Sequence, residues 1–136
     1  MDAVVASLAG VPPFLIYFVP AVLIVHAFMW LYMQVTPHAE IELIKANNVA
    51  ASTTYVGALL GFSIPICSVV ANAASLVDFL VWSLVAGFVQ LATFLVFRRF
   101  YPRISERIEA GEMGVAVKLA GTSVVVGLLN AASIVY

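Results

Sequence analysis

The sequence predicts an all-α integral membrane protein, with four transmembrane helices arranged as two parallel two-helix repeats and joined by short interfacial linker helices. Three observations predict it. First, 64% of the 136 residues are hydrophobic and 10% are charged, with a mean hydropathy of +1.12. A soluble domain is nearer one quarter charged, and a chain this small cannot hide so many apolar side chains in one aqueous core. Lipid must solvate most of the surface. Second, four stretches reach the about 20 apolar residues that a helix needs to cross a hydrocarbon core. Third, no barrel-like alternation appears, and backbone groups in lipid must be satisfied internally, which leaves helices.

The opening "MDAVVASLAG" has no Lys or Arg before the first apolar run, which argues against a cleaved signal peptide. The first span runs from Phe14 to Val35, entered by Pro12 and Pro13, which suit a helix start. Pro20 is expected to kink it and free a carbonyl near the depth of His26. In the linker 36–48, Thr36 can cap a short helix with Pro37 at its first position. His38, Glu42 and Lys45 then share one face, and Ile41 and Ile44 another. Asn47 and Asn48 end this turn, and the pair can cap the second span, Val49 to Ala73. That span carries Gly57 and Gly61 as a GxxxG, where small residues let helices approach closely, and Pro65.

The third span runs from Leu76 to Phe97. In the linker 98–112, Arg103 and Arg107 share one face and Ile104 and Ile108 the opposite one, with Gly111 as a left-handed stop. Both linkers read as short helices lying in the membrane interface. The fourth span runs from Met113 to Tyr136 and contains Gly121.

The chain is expected to form one membrane domain over residues 1–136, with repeat one at 14–73 and repeat two at 76–136. "IKANNVAASTTYVGALLG" (44–61) aligns without gaps on "IEAGEMGVAVKLAGTSVV" (108–125), so that Ile44, Ala46 and Gly57 fall on Ile108, Ala110 and Gly121. Pro37 and Pro102 correspond after a one-residue gap. Both halves start and return on one side, so the repeat is parallel, whereas inverted repeats are the commoner transporter signature. All six cations, Lys45, Arg98, Arg99, Arg103, Arg107 and Lys118, fall on or beside the linker side. The positive-inside rule makes that side cytoplasmic and sets both termini outside or in the periplasm. Lys118, one turn inside the fourth span, can snorkel back to the interface.

Several function classes are excluded. A net charge of −1 gives no basic field for nucleic acid. Cys67 is the only cysteine, so there is no internal disulfide and no CxxC site. No GxGxxG, GKS/T, GxSxG or HExxH occurs, and two histidines and one cysteine leave little for nucleophilic catalysis. No catalytic residue, cofactor or metal is therefore expected. His38 and Glu42, at helical i, i+4 spacing, are two ligands where a structural zinc wants four.

Two constellations remain. His26, Gln90 and Asn130 lie inside the spans. Such groups are functional candidates by default, but a neutral His26 bonded to Gln90 or to a helix carbonyl would serve as packing. The linkers hold His38, Glu40, Glu42, Lys45, Asn47, Asn48, Arg103 and Arg107, read either as anchors of hairpin geometry or as a docking face. Gly57, Gly61 and Gly121 are helix-packing candidates, within the chain or between copies.

The pattern TPH-x-E-x-x-LIK-x-x-N-x-AAS, Thr36 to Ser52, followed by G-x-LLG at 57–61 and NAA at 130–132, resembles the YjfL-like bacterial inner-membrane proteins, domain of unknown function 350. The resemblance covers residues 14–136, although "AGEMG" in the second linker lacks the Asn pair. It implies four helices from two copies of a two-helix unit, a bacterial inner-membrane setting and no known enzyme activity. It also implies genes beside phage-shock-like membrane-stress proteins and ligases similar to glutathionylspermidine synthetase, hence a link to envelope maintenance. Two functions are consistent with all this. One is a non-enzymatic, homo-oligomeric membrane component whose linkers meet a cytoplasmic or peripheral membrane-stress partner. The other is a small oligomeric channel or transporter for ions or a small cationic solute.

Overall fold

A computed structural model describes residues 1–134, and in them seven helices. They are α1 (Asp2–Leu8), α2 (Val11–Val35), α3 (Glu40–Lys45), α4 (Val49–Asn72), α5 (Leu76–Phe100), α6 (Ile104–Glu109) and α7 (Met113–Ser133). Four helical stretches are long and apolar enough to cross a membrane: Asp2–Val35, Val49–Asn72, Leu76–Phe100 and Met113–Ser133. The first therefore begins well before Phe14, because the apolar N-terminus coils as α1 up to the break at Gly10. Residues 135–136, the expected end of the fourth span, lie outside the described residues.

Local chemistry sets the helix ends. Prolines occupy the first turn of α2, where their missing N–H costs no intrahelical bond. Asn48 caps α4 by accepting from the Ala51 N–H at 2.9 Å. At the head of α5, Ser75 accepts from the Asp78 N–H and Asp78 accepts from the Ala74 N–H. This S-x-x-D exchange pairs one N–H that the first turn leaves without an intrahelical partner and the N–H of the residue before the cap.

Helix α4 is the centre, touching α2, α3, α5, α6 and α7. Its closest neighbour is α7. A Cβ on Gly57 would strike the Ala120 backbone, one on Gly61 the Ser123 carbonyl, and one on Gly127 the Gly61 backbone. Hydrophobic attraction between helices is weak in lipid, so close backbone approach is what allows dispersion contacts to accumulate. Gly121 does not belong to this seam, since a Cβ there would meet nothing within 4 Å. The seam glycine of α7 is Gly127, and a 3.6-residue turn puts residues six apart on different faces.

Helix α2 joins by aromatic contacts. Phe28 stacks on Phe62 of α4 at 4.0 Å, Tyr32 meets Phe94 of α5 edge-on at 5.7 Å, and Tyr17 meets Phe79 at 6.2 Å. Large apolar residues such as Leu23, Trp30, Phe88 and Leu129 face outward, as lipid solvation permits.

Gly127→Ala should destabilise the α4–α7 seam by about 1–3 kcal/mol, the usual cost of overpacking. Gly121→Ala should change the stability of the single chain by no more than about 0.5 kcal/mol, as at a position with no contact inside the fold. Denaturant titrations of both variants in detergent, followed by circular dichroism, measure the difference.

Candidate functional site

The three intramembrane candidates do not form one site. Gln90 is 2% exposed in the α4–α5–α7 core. Its Nε2 donates to the Gly61 carbonyl at 2.9 Å and to the Ser123 carbonyl at 3.0 Å. The first bond has a covalent origin. Pro65 has no N–H, so the Gly61 carbonyl four residues earlier has no intrahelical donor, and the Gln90 amide replaces it. His26 is exposed, and its Nδ1 lies 2.9 Å from the Val22 carbonyl of its own helix. It is not bonded to Gln90, and the carbonyl freed by Pro20 is that of Ile16, further toward the N-terminus. His26 lines a groove of about 650 Å³ between α2 and α4, with Tyr17, Ser63 and Cys67. Asn130 is half-buried near the far end of α7, where its Nδ2 has no hydrogen-bond partner among the described residues.

The linkers do converge. Thr36 does not cap the linker helix. Its hydroxyl bonds back to the Tyr32 and Met33 carbonyls and closes α2. Helix α3 starts only at Glu40, after Ala39 and without a side-chain cap. His38 therefore precedes the helix and does not share a face with Glu42 and Lys45. It turns inward to 3% exposure, while Glu42 and Lys45 stay outside the buried set. Glu40 is also buried, at 2%. His38 and Glu42 are therefore not presented on one face, and among the described residues no group of three His, Cys, Asp or Glu converges.

What His38 meets is the other linker. Its Nδ1 is 2.9 Å from Ser105 Oγ on α6, and its Nε2 is 3.0 Å from Glu40 Oε1. Both side chains of the His38–Glu40 pair are fully buried. The 3.0 Å approach is not an aligned hydrogen bond, because neither Glu40 oxygen nor His38 Nε2 has a hydrogen-bond partner among the described residues. The buried Tyr32 hydroxyl is likewise without one and lies within electrostatic reach of Glu40.

A second bridge closes the other end of the first linker. Asn47 takes the left-handed backbone, with φ 65°, that turns α3 into α4. Asn48 Oδ1 then caps α4 while its Nδ2 donates to the Ile108 and Glu109 carbonyls, each at 3.1 Å. The Ile108 carbonyl also accepts from the Gly111 N–H, whereas the last carbonyl of a helix, here that of Glu109, has no internal donor, so one amide joins the end of α6 to the start of α4. Gly111, with φ 80°, makes the corresponding turn out of α6. Ile104 and Ile108 are buried beneath this short helix. Arg103 and Arg107 point outward and pair with Glu106 and Glu112, and such exposed pairs contribute little.

Two participants carry no sequence motif, Ser105 and Tyr32. The usable signal is the spacing of His38 and Glu40. Residues two apart share a side of an extended chain, which a continuous helix from Pro37 would not provide.

Asn48→Ala should remove the α4 cap and the α6 tie, lowering stability by about 0.5–2 kcal/mol, the usual cost of losing an N-cap. Gln90→Leu should cost about 1–3 kcal/mol by leaving the Gly61 carbonyl unsatisfied. Denaturation midpoints of the purified variants check both, with no change in either one contradicting the assigned bonds.

A family model described as Domain of Unknown Function (DUF350) matches residues 6–134. Two relatives are named UPF0719 inner membrane protein YjfL, one from Escherichia coli strain K12 and one from Escherichia coli O157:H7. Each is 37% identical over 116 residues, covering 85% of this chain and 88% of the relative. No solved structure matches the chain.

Proposed function

The chain belongs to the DUF350 family, and from that premise we propose that it is a non-enzymatic inner-membrane component that presents its two linkers to a partner as a single platform. The observation that carries the reading is the joining of the linkers. Asn48 and His38 tie the first to the second at both ends. Glu42, Lys45, Arg103 and Arg107 are left on the outer side. Bare turns have no need of such a fixed charged face. The partner is a cytoplasmic or peripheral membrane-stress protein, in line with the role in envelope maintenance that the family resemblance implies.

The linkers face the cytoplasm and the termini the periplasm, because the six cations gather on the linker side. The architecture is two parallel repeats. Supporting this, α3 and α6 are displaced by 64 residues at both ends (Glu40–Lys45 against Ile104–Glu109), as are the starts of α4 and α7, Val49 and Met113. The left-handed residues Asn47 and Gly111 have the same displacement. Copies of the chain associate through the shallow groove between α4 and α7 onto which Gly121 opens. No observation favours conduction: both amide bonds of Gln90 are internal, and His26 bonds to its own helix.

Mild solubilisation and pull-down should recover a partner that is lost on combining Glu42→Ala with Arg107→Ala, while the variant still inserts and folds. Identical partners for wild type and variant would remove the docking reading. For orientation, alkaline phosphatase fused after residue 136 should be active, and fused within 36–48 it should be inactive.

A further inference from the structure

The buried pair at the linker junction has a property that docking does not require. We propose that His38 and Glu40 form a proton-binding site that latches the first linker to the second, closed while the pair holds its proton and released when the proton leaves. The inference rests on the geometry of the pair and goes beyond the docking reading.

An imidazole with both nitrogens protonated is a donor at each. In that state Nδ1–H donates to Ser105 Oγ at 2.9 Å, while the positive ring holds Nε2 at 3.0 Å from Glu40 Oε1. One side chain then bridges the linkers and neutralises a buried carboxylate. Loss of one proton to bulk water leaves the ring with a single N–H. With the remaining hydrogen on Nε2, Nδ1 accepts from the Ser105 hydroxyl, but Glu40 becomes a buried anion without a counter-charge. Buried charges persist only when paired, so opening the linkers to water is the available relief.

Among the described residues, the surroundings offer no substitute cation. From α2, the facing group is the neutral Tyr32 hydroxyl. From α6 it is Ser105, while Arg103 and Arg107 pair outward with Glu106 and Glu112. Glu42 and Lys45 of α3 lie outside the buried set, as do Arg98 and Arg99 of α5. In α4, Thr54 gives its hydroxyl to the Ala51 carbonyl. Lys118 of α7 is exposed and lies over the Tyr101 ring at 5.8 Å. The sign follows by linkage. The closed state binds one proton more than the open state, so the latch is closed at lower pH and is lost as pH rises.

Hydrogen–deuterium exchange of the full chain in lipid nanodiscs tests this, stepped from about pH 5 to about pH 9 to span histidine titration. Rates are corrected for intrinsic exchange with an unstructured reference peptide. Protection of segments 36–48 and 102–112 should fall together, by up to about tenfold per pH unit, the limit for one proton released per opening. Segment 53–66 of α4 should hold steady. Glu40→Gln replaces the carboxylate with an amide that can donate to the neutral imidazole. Its linkers should stay protected across the series. Ser105→Ala should weaken protection yet keep the pH dependence, because the proton stays with the pair. Linker protection that is flat in the wild type, a fall in one linker alone, or a Glu40→Gln profile matching wild type would each overturn the latch. The wild-type series needs no substitution, so a variant that fails to fold leaves the test standing.

Discussion

Pro65 leaves the carbonyl of Gly61 without its intrahelical donor, and Gln90 supplies one from a neighbouring helix. An unpaired carbonyl in the low-dielectric interior of a membrane protein is costly. The same amide nitrogen also reaches the Ser123 carbonyl, so one side chain from α5 joins α4 to α7. Gly61 is the residue against which Gly127 packs. The bond and the close approach thus depend on each other. A larger residue at 61 or 127 would push α7 away, and without Gln90 the proline in α4 would leave a defect where the helices cross.

The same accounting governs the end of the molecule where the linkers lie. There the unpaired groups are the Glu109 carbonyl at the end of α6 and an N–H in the first turn of α4, and Asn48 answers both with opposite ends of one amide. This gives a reason for the asymmetry between the two linkers. The position in the second linker corresponding to Asn48 holds Glu112. A carboxylate accepts but cannot donate to helix carbonyls, and Glu112 pairs with Arg107 instead. Only one of the two linkers has to supply the tie, and it is the one that carries the Asn pair.

Much of this organisation is legible in the residues themselves. Apolar run length locates the four helices, and the Asn48 cap and the left-handed Gly111 follow from residue type and position. Other features escape a local reading for identifiable reasons. Thr36 suits an N-cap, but its hydroxyl bonds back to α2 and so displaces the start of the linker helix to Glu40. His38 and Glu40 read as exposed linker groups because polar residues between spans usually face water. Their burial depends on Ser105, 67 residues away from His38, a contact that no local pattern encodes. His26, the ionisable group deepest in the first span, is exposed and bonds within its own helix.

By itself, the sequence determined that the chain is helical and lipid-solvated, how many times it can cross a membrane, and where its charge gathers. These follow from composition and local periodicity, because a helix satisfies its backbone within one segment and lipid accepts any apolar surface. The tertiary structure alone decided which small residues are seams and which are open, Gly127 against Gly121. It decided, too, which polar groups are consumed by packing and which are left as a site. Those outcomes depend on helix rotation and on partners distant in the chain. In lipid, where every face of such a helix is equally acceptable to solvent, hydropathy carries no information about rotation, and close contact and buried hydrogen bonds set it instead.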